Sequence, residues 1–559
     1  MGYLDFKKAY TYLNKYNSKN LWGISSALSL LEFFTNDKAL KHQLSPVVNP
    51  VKLNLFTKAI IHSKSRNYKE AKVDSSTLIK VFNQLGEALP KPDDIESWDI
   101  KTKEDLHDTL MSLFVSQQWF QRLEINERAG ILYELYYNLP DENEEFLKEK
   151  HQNRYVHIPE SIEDDLGIKL ENYICIGFAL FLSYQAKHKQ LCKTSPQIRQ
   201  ELKSAIKSKY LSRKKRGKFF SSFVNKNAGR TSKFYFTIDE LTSQFEFIET
   251  LEKKDFKSFL RLLSTTPKKI GKIRSKKRFT KGQISQSLNP LEERPILRID
   301  NEYVIPDIRI FMIALTSILT YEISKLYDDF RFREVYGSIQ ELYLKNVLSK
   351  RLPNITLIPE QTYHRDGTEF KGPDLTIIEN DQLILLESKA KKTKLDSRVY
   401  GRSEFVLSDL ERPIKAVTKL KEKKLEDLYE GIPQYSDWQT KLDATKDSKP
   451  IFVCVMEEAI MGLQEFVTNE AKRNPNFELS DLGYKYCFMD VFTFTKAIEI
   501  VSQNKDLLLS DVLKNYYLKA KRLDHNEGTA DMFDDYEIDY EKSFANQKFL
   551  NLIDKLRND

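Results

Sequence analysis

Residues 371–394 read KGPDLTIIENDQLILLESKAKKTK, and the organisation of the C-terminal half follows from how this stretch pairs with itself. Two apolar, β-branched runs, Leu375–Ile378 and Leu383–Leu386, flank Asn380-Asp381, a pair suited to a tight turn. A two-residue turn there sets Asp374 directly opposite Glu387. Opposed residues on one face of a sheet hold their Cβ atoms about 4.5–5.5 Å apart. Lys389, two positions past Glu387, falls on the same face by strand alternation. The spacing therefore predicts two carboxylates and an ammonium converging at the open end of a buried hairpin. Unpaired buried charge costs on the order of several kcal/mol, so the arrangement calls for a ligand. A divalent cation meets that need, because Mg²⁺ takes one or two carboxylates, waters and phosphate oxygens.

Gly372-Pro373-Asp374, twelve intervening residues and Glu387-Ser388-Lys389 resemble the active-site motif of the PD-(D/E)xK, or restriction-endonuclease-like, nuclease superfamily. The bland alternative is an ordinary hairpin with solvated charges at its ends. A helix expected from Glu334 to Lys350 strengthens the resemblance. On it Glu341, Leu344 and Leu348 share a face, with Gly337 one turn earlier. Such a carboxylate resembles the acidic residue on the first core helix of many of these nucleases; otherwise it is a surface Glu paired with Lys345. The resemblance covers about residues 332–500. It implies an α-β-β-β-α-β core with strands near 356–363, the central hairpin, 450–456 and 486–491, and a helix over 408–424. It also implies Mg²⁺ or Mn²⁺ held by Asp374, Glu387 and the Ser388 carbonyl. Glu341 would hold a water or second ion, Lys389 would assist attack on the scissile phosphate, and a 5′-phosphate would be left.

Of 559 residues, 41% are hydrophobic and 12% aromatic, enough to build packed cores over several domains. Cys175, Cys192, Cys454 and Cys487 lie far apart in mostly apolar runs and read as buried thiols of a reducing compartment. No apolar run approaches the ~18 residues of a membrane span, and the first residues lack a signal-peptide pattern. The expected setting is cytoplasmic, with no membrane partner. Neither a GxxxxGK[ST] nor a GxGxxG loop is present, which argues against a nucleotide-driven motor within this chain.

The net charge of +7 conceals an asymmetry. Residues 201–290 carry 23 Lys/Arg against 7 Asp/Glu, an excess of 16, which leaves the remainder at −9. A basic segment of this kind reads as a polyanion contact. Its clusters are Arg213, Lys214, Lys215 and Arg216, then Lys276, Lys277 and Arg278, interleaved with Phe219, Phe220, Phe234, Tyr235 and Phe236. The aromatics either stack on bases or pack in a core. Lys391, Lys392 and Lys394, at the exit of the third strand, are further candidate phosphate contacts.

The expected fold is multidomain. A mainly α-helical half spans residues 1–195, for sensing or partner binding. A basic nucleic-acid-binding module with a connecting helix spans 196–330, a restriction-endonuclease-like α/β core with a central mixed sheet spans 331–505, and a helical, acidic extension spans 506–559. The expected function is a metal-dependent endonuclease acting on nucleic acid, DNA favoured over RNA, in a bacterial restriction or anti-phage role by architectural analogy. The alternatives are a nucleic-acid-binding or scaffold protein with an inactive core, and a transposon-associated end-cleaving enzyme. A sibling subunit or homo-oligomer is the expected protein partner.

Overall fold

The computed structural model describes residues 2–33, 50–63, 73–87, 125–152, 155–193, 221 and 223–225, 231–244, 251–270, 289–326, 329–390 except 366, 413–457 except 421–423, 485–520, and 533–558 except 534. Its N-terminal half is helical, and its C-terminal region holds a mixed sheet flanked by helices. The helices Gly2–Leu13, Ser18–Phe33, Pro50–His62 and Ser75–Glu87 bury Phe6, Leu28, Phe56 and Phe82 between them. Asp74 starts the Ser75–Glu87 helix, its Oδ1 accepting the Thr77 amide at 2.7 Å, which satisfies one of the amides a first turn leaves open. In the helix Ser18–Phe33, Ile24, Ala27, Leu28 and Leu31 recur at helical spacing and are buried.

Strands β1 (Ser264–Thr265), β2 (Ile296–Ile299) and β3 (Glu302–Val304) form a small sheet in that order. The β2–β3 hairpin turns at Asp300-Asn301, with Asp300 in the left-handed region at φ 57°. Phe234, Tyr235 and Phe236 are buried; Tyr235 Oη donates to the Lys19 carbonyl at 2.8 Å, and Phe236 bridges to Tyr303 of this sheet with rings 5.8 Å apart. Of the two readings for these aromatics, packing holds for these three. Phe219, Phe220 and the basic clusters Arg213–Arg216 and Lys276–Arg278 lie outside the described residues.

The apolar helix Ile308–Leu326 follows, and side chains of the N-terminal half bond directly to it. Tyr173 Oη donates to the Leu315 carbonyl at 2.8 Å, and Tyr136 Oη shares a hydrogen bond with Thr320 Oγ1 at 2.7 Å. No single helix among the described residues is long and apolar enough to cross a membrane. The bent pair Ile158–Leu166 and Leu170–Lys187 passes on length and composition alone. Its Ile158, Ile162, Leu166, Ile176 and Leu180 are buried within the protein.

The larger sheet contains β4 (Thr356–Pro359), β7 (Leu375–Glu379), β8 (Gln382–Lys389), β9 (Ile451–Met456) and β10 (Lys485–Asp490), in the order β10-β9-β8-β7-β4. β7 is antiparallel to β4 and β8, whereas β8, β9 and β10 run parallel. Every residue of β7 and β9 is buried, which explains why they read as unbroken apolar runs rather than alternations. The helix Asp329–Arg351 packs on β4 and β8 and against the helix Val491–Gln503. Asp490 caps the latter, accepting the Thr493 amide at 2.7 Å. The single strand expected near 356–363 is instead two elements: β4, then β5 (Thr362–Arg365), which pairs with β6 (Thr368–Lys371) as a separate two-stranded ribbon. Glu360 and Gln361 separate them because β4 stays with β7 while β5 turns away toward the buried Tyr435.

The C-terminal helix Phe544–Asn558 crosses back onto Ile125–Tyr133. The crossing is close enough that a Cβ on Gly130 would lie 1.9 Å from the Ala545 carbonyl oxygen. Beside it, fully buried Glu134 accepts from Lys548 at 2.7 Å, Asn138 at 2.7 Å and Asn346 at 3.3 Å. This one carboxylate therefore joins the N-terminal half, the Asp329–Arg351 helix and the C-terminal helix.

Candidate active site

The β7–β8 register is the one the sequence predicts. Leu375 pairs with Leu386, Ile377 with Ile384 and Glu379 with Gln382, and Asn380 takes the left-handed turn position at φ 53°. Asn is one of the few side-chain-bearing residues that adopts this conformation readily. One step beyond the last pair, Asp374 and Glu387 face each other across the open end. Lys389 Nζ lies 2.5 Å from Glu387 Oε2 and 3.6 Å from Asp374 Oδ2, so a single ammonium serves both carboxylates. The Ser388 amide donates to Asp374 Oδ2 at 2.7 Å and fixes its rotamer.

Backbone contacts set Asp374 itself. The Glu360 amide donates to its carbonyl at 3.2 Å, and the Gly372 amide donates to Gln361 at 2.8 Å. Gly372 is required sterically, since a Cβ there would sit 2.0 Å from the hydroxyl oxygen of buried Tyr435.

Two elements outside the hairpin complete the constellation. Glu341 stands on the Asp329–Arg351 helix, near enough to feel the charges of Asp374 and Lys389. Lys150, from the N-terminal helix Glu144–His151, lies 3.8 Å from its Oε2. One residue on, the His151 ring is 3.0 Å from Ser338 Oγ. Lys424 enters from the start of the short helix Leu425–Tyr429. Its Nζ donates to the Gly372 carbonyl at 2.8 Å and to Glu387 Oε1. Only 17% of the Lys424 side chain is exposed.

The electrostatics follow from this crowding. Burial, with the adjacent Glu387 charge, holds the Asp374 carboxyl well above the usual carboxylate range, against the opposing pull of Lys389 and the Ser388 amide. Burial and the Asp374 charge push Glu341 up to about 7. Burial works to lower the Lys389 pKa, but Asp374 and Glu387 outweigh it and the ammonium is held charged. Burial pushes the Cys454 thiol, which pairs in register with Glu387, up to about 12. It is a packing residue rather than a nucleophile. Cys175 and Cys487 are likewise buried free thiols.

No family model, curated protein or solved structure matches this chain.

Among the described residues, no group of three or more His, Cys, Asp and Glu side chains is arranged to hold a metal ion. The donor set at the hairpin is smaller: two carboxylates that share Lys389, one of them also bonded by Lys424, plus the backbone of Ser388 between Glu387 and Lys389. That set fits a hard divalent ion which keeps several waters, and it does not fit a caged zinc or calcium. Lys391, Lys392 and Lys394 lie outside the described residues. Lys424 is the contact that sequence reasoning missed. It lies in the run Lys419–Lys424, KLKEKK, whose spacing is that of a solvated face, and no pattern links it to Glu387.

Proposed function

We propose that this chain is a metal-dependent nuclease that hydrolyses phosphodiester bonds, with DNA favoured over RNA as substrate. The single observation that carries this reading is the meeting of Asp374, Glu387 and Lys389 at the open end of a buried hairpin, with Glu341 facing them from the adjacent helix. Asp374 and Glu387 are buried together at one strand end, and Glu341 is close enough to feel the Asp374 charge; perturbed acids in such settings mark functional sites. Asp374, Glu387 and the Ser388 carbonyl would hold Mg²⁺ or Mn²⁺. When bound, such an ion lowers the pKa of water and neutralises charge on a phosphoryl group.

The chain's own groups supply the rest. The Ser388 amide locks Asp374 so that one of its oxygens stays aimed at the site. Lys389, held charged beside both acids, orients the attacking water and offsets negative charge on the phosphate as it develops. Glu341, whose carboxyl changes protonation near neutrality, accepts or returns a proton at the edge of the site. The basic stretch over residues 201–290 supplies affinity for a polyanion. A cytoplasmic setting and a restriction or anti-phage role fit this activity by analogy of architecture.

The decisive experiment incubates the full chain with supercoiled plasmid, single-stranded DNA and RNA, with Mg²⁺ or with chelator. Cleavage should require the ion and should fall by at least about 10²-fold in Asp374→Ala. Equal behaviour of native and variant chains on all three substrates overturns the nuclease reading. A second reading, a nucleic-acid-binding protein with an inactive core, draws on the two lysines that already neutralise Glu387. It predicts binding without cleavage in the same assay.

A further inference from the structure

Both oxygens of Glu387 carry an ammonium, Lys424 on Oε1 and Lys389 on Oε2. Glu341 has its own in Lys150. Among the described residues, Asp374, Glu387 and Glu341 are therefore matched one for one by Lys389, Lys424 and Lys150, and with all six groups ionised the cluster carries no net charge. A divalent cation added to a neutral site gains little from it, and both Glu387 oxygens are already taken. One ammonium has to leave.

Lys389 is the poorer candidate, being anchored in central strand β8 and shared by two acids. Lys150 pairs with Glu341, off the hairpin, and its side chain is 42% exposed. Among the described residues Lys424 touches one carboxylate, and its second acceptor is the neutral Gly372 carbonyl. It stands at the N-terminal end of the short helix Leu425–Tyr429, not within the sheet.

We propose that Lys424 is the counter-ion of the metal-free site and becomes a phosphate contact once the cation displaces it, so that cation and phosphodiester bind cooperatively. This rests on the nuclease reading above. With the cation on Asp374 and Glu387, the displaced ammonium leaves the site with surplus positive charge, which only an anionic substrate neutralises. The coupling is reciprocal by linkage: phosphate draws Lys424 off Glu387 and frees the oxygen that the cation needs. The site would thus load its ion chiefly in the presence of nucleic acid.

The test is Mn²⁺ binding to the full chain, read by electron paramagnetic resonance of free Mn²⁺, with and without a phosphorothioate duplex that resists hydrolysis. In the native chain, saturating duplex should tighten Mn²⁺ binding by about tenfold or more. In Lys424→Met, Mn²⁺ alone should bind about tenfold tighter than to the native chain, because one positive charge next to Glu387 has gone. The duplex should then improve it by less than about twofold. Lys424→Arg, which keeps the charge, should retain the weak native affinity. Unchanged or weaker Mn²⁺ binding in Lys424→Met makes Lys424 a structural prop and overturns the proposal. Absence of coupling in the native chain overturns it too, and that measurement needs no variant to fold. Plasmid cleavage lost in Asp374→Ala, with Mn²⁺ affinity unmoved in Lys424→Met, sinks this inference and leaves the nuclease reading standing. Tighter Mn²⁺ binding in Lys424→Met by a chain that cleaves nothing does the reverse.

Discussion

At the turn end of the β7–β8 hairpin, Glu379 is buried and accepts the backbone amides of Leu509 and Ser510 at 2.9 and 3.0 Å. At the open end, Glu387 is as deeply buried but leans on the side chains of Lys389 and Lys424. The first carboxylate closes the N-terminus of the helix Leu509–Ala520, where unpaired amides and the helix dipole favour a negative charge. Those donors are fixed in the backbone and cannot leave. The second is met by ammoniums on flexible four-carbon stems, which can exchange for another cation. Burial and charge are alike at the two ends, so they do not separate structure from function. The exchangeability of the partner does.

Three substitutions press on this contrast, beyond the loss of cleavage in Asp374→Ala. Glu379→Ala strands two buried amides at a helix start and should destabilise the chain by about 2–3 kcal/mol in denaturant unfolding. Mn²⁺ affinity of the folded variant should stay within about twofold of native. A large change in ion binding would erase the distinction between the two ends. Gly372→Ala drives a methyl against the Tyr435 hydroxyl beside the motif and should cost about 1–3 kcal/mol. Tyr435→Phe in the same chain should recover much of that, because the ring carbon bearing the hydroxyl lies 3.4 Å from the new methyl position. Failure of the rescue would mean that the clash is not what constrains the approach to Asp374.

Glu341→Gln has the smallest expected effect, and it depends on pH. The folded carboxyl titrates near 7, up from an ordinary 4.5. The folded state therefore favours the protonated form, and its contribution is full below about pH 4.5 and lost as pH rises through 7. Gln escapes that loss. In chelator the variant should match the native chain at pH 4 and exceed it at pH 8. The gain should be only about 0.5 kcal/mol, since the side chain is 38% exposed and solvent screens it. Thermal melts across that range would show a gap that opens with rising pH; a gap that opens on acidification would contradict the assignment.

Much of the hairpin was legible in advance because strand alternation and a two-residue turn leave no freedom in register. Asn380-Asp381 and the flanking Leu and Ile residues fix which side chains oppose. The helix bearing Glu341 was legible for a related reason, a polar residue interrupting an apolar stripe. Lys424 and Lys150 were not. Each sits in a charged run, KLKEKK or LKEKH, where one lysine looks like the next. What selects them is tertiary approach, which local periodicity does not encode. The division between β4 and β5 was hidden similarly, since Thr356–Arg365 reads as one extended segment until Tyr363 finds Tyr435 and Asp427.

The Glu134 junction bears on the order in which this chain can be made. Vectorial synthesis delivers Glu134 and Asn138 first, Asn346 with the α/β region, and Lys548 long afterwards. Until that lysine arrives, Glu134 has amide donors but, among its described partners, no ammonium, and the helix that packs on Ile125–Tyr133 beside it is missing. The scaffold behind Glu341 is therefore finished from its far end, and a nascent chain stopped short of Phe544 would carry the whole hairpin on an unsettled foundation.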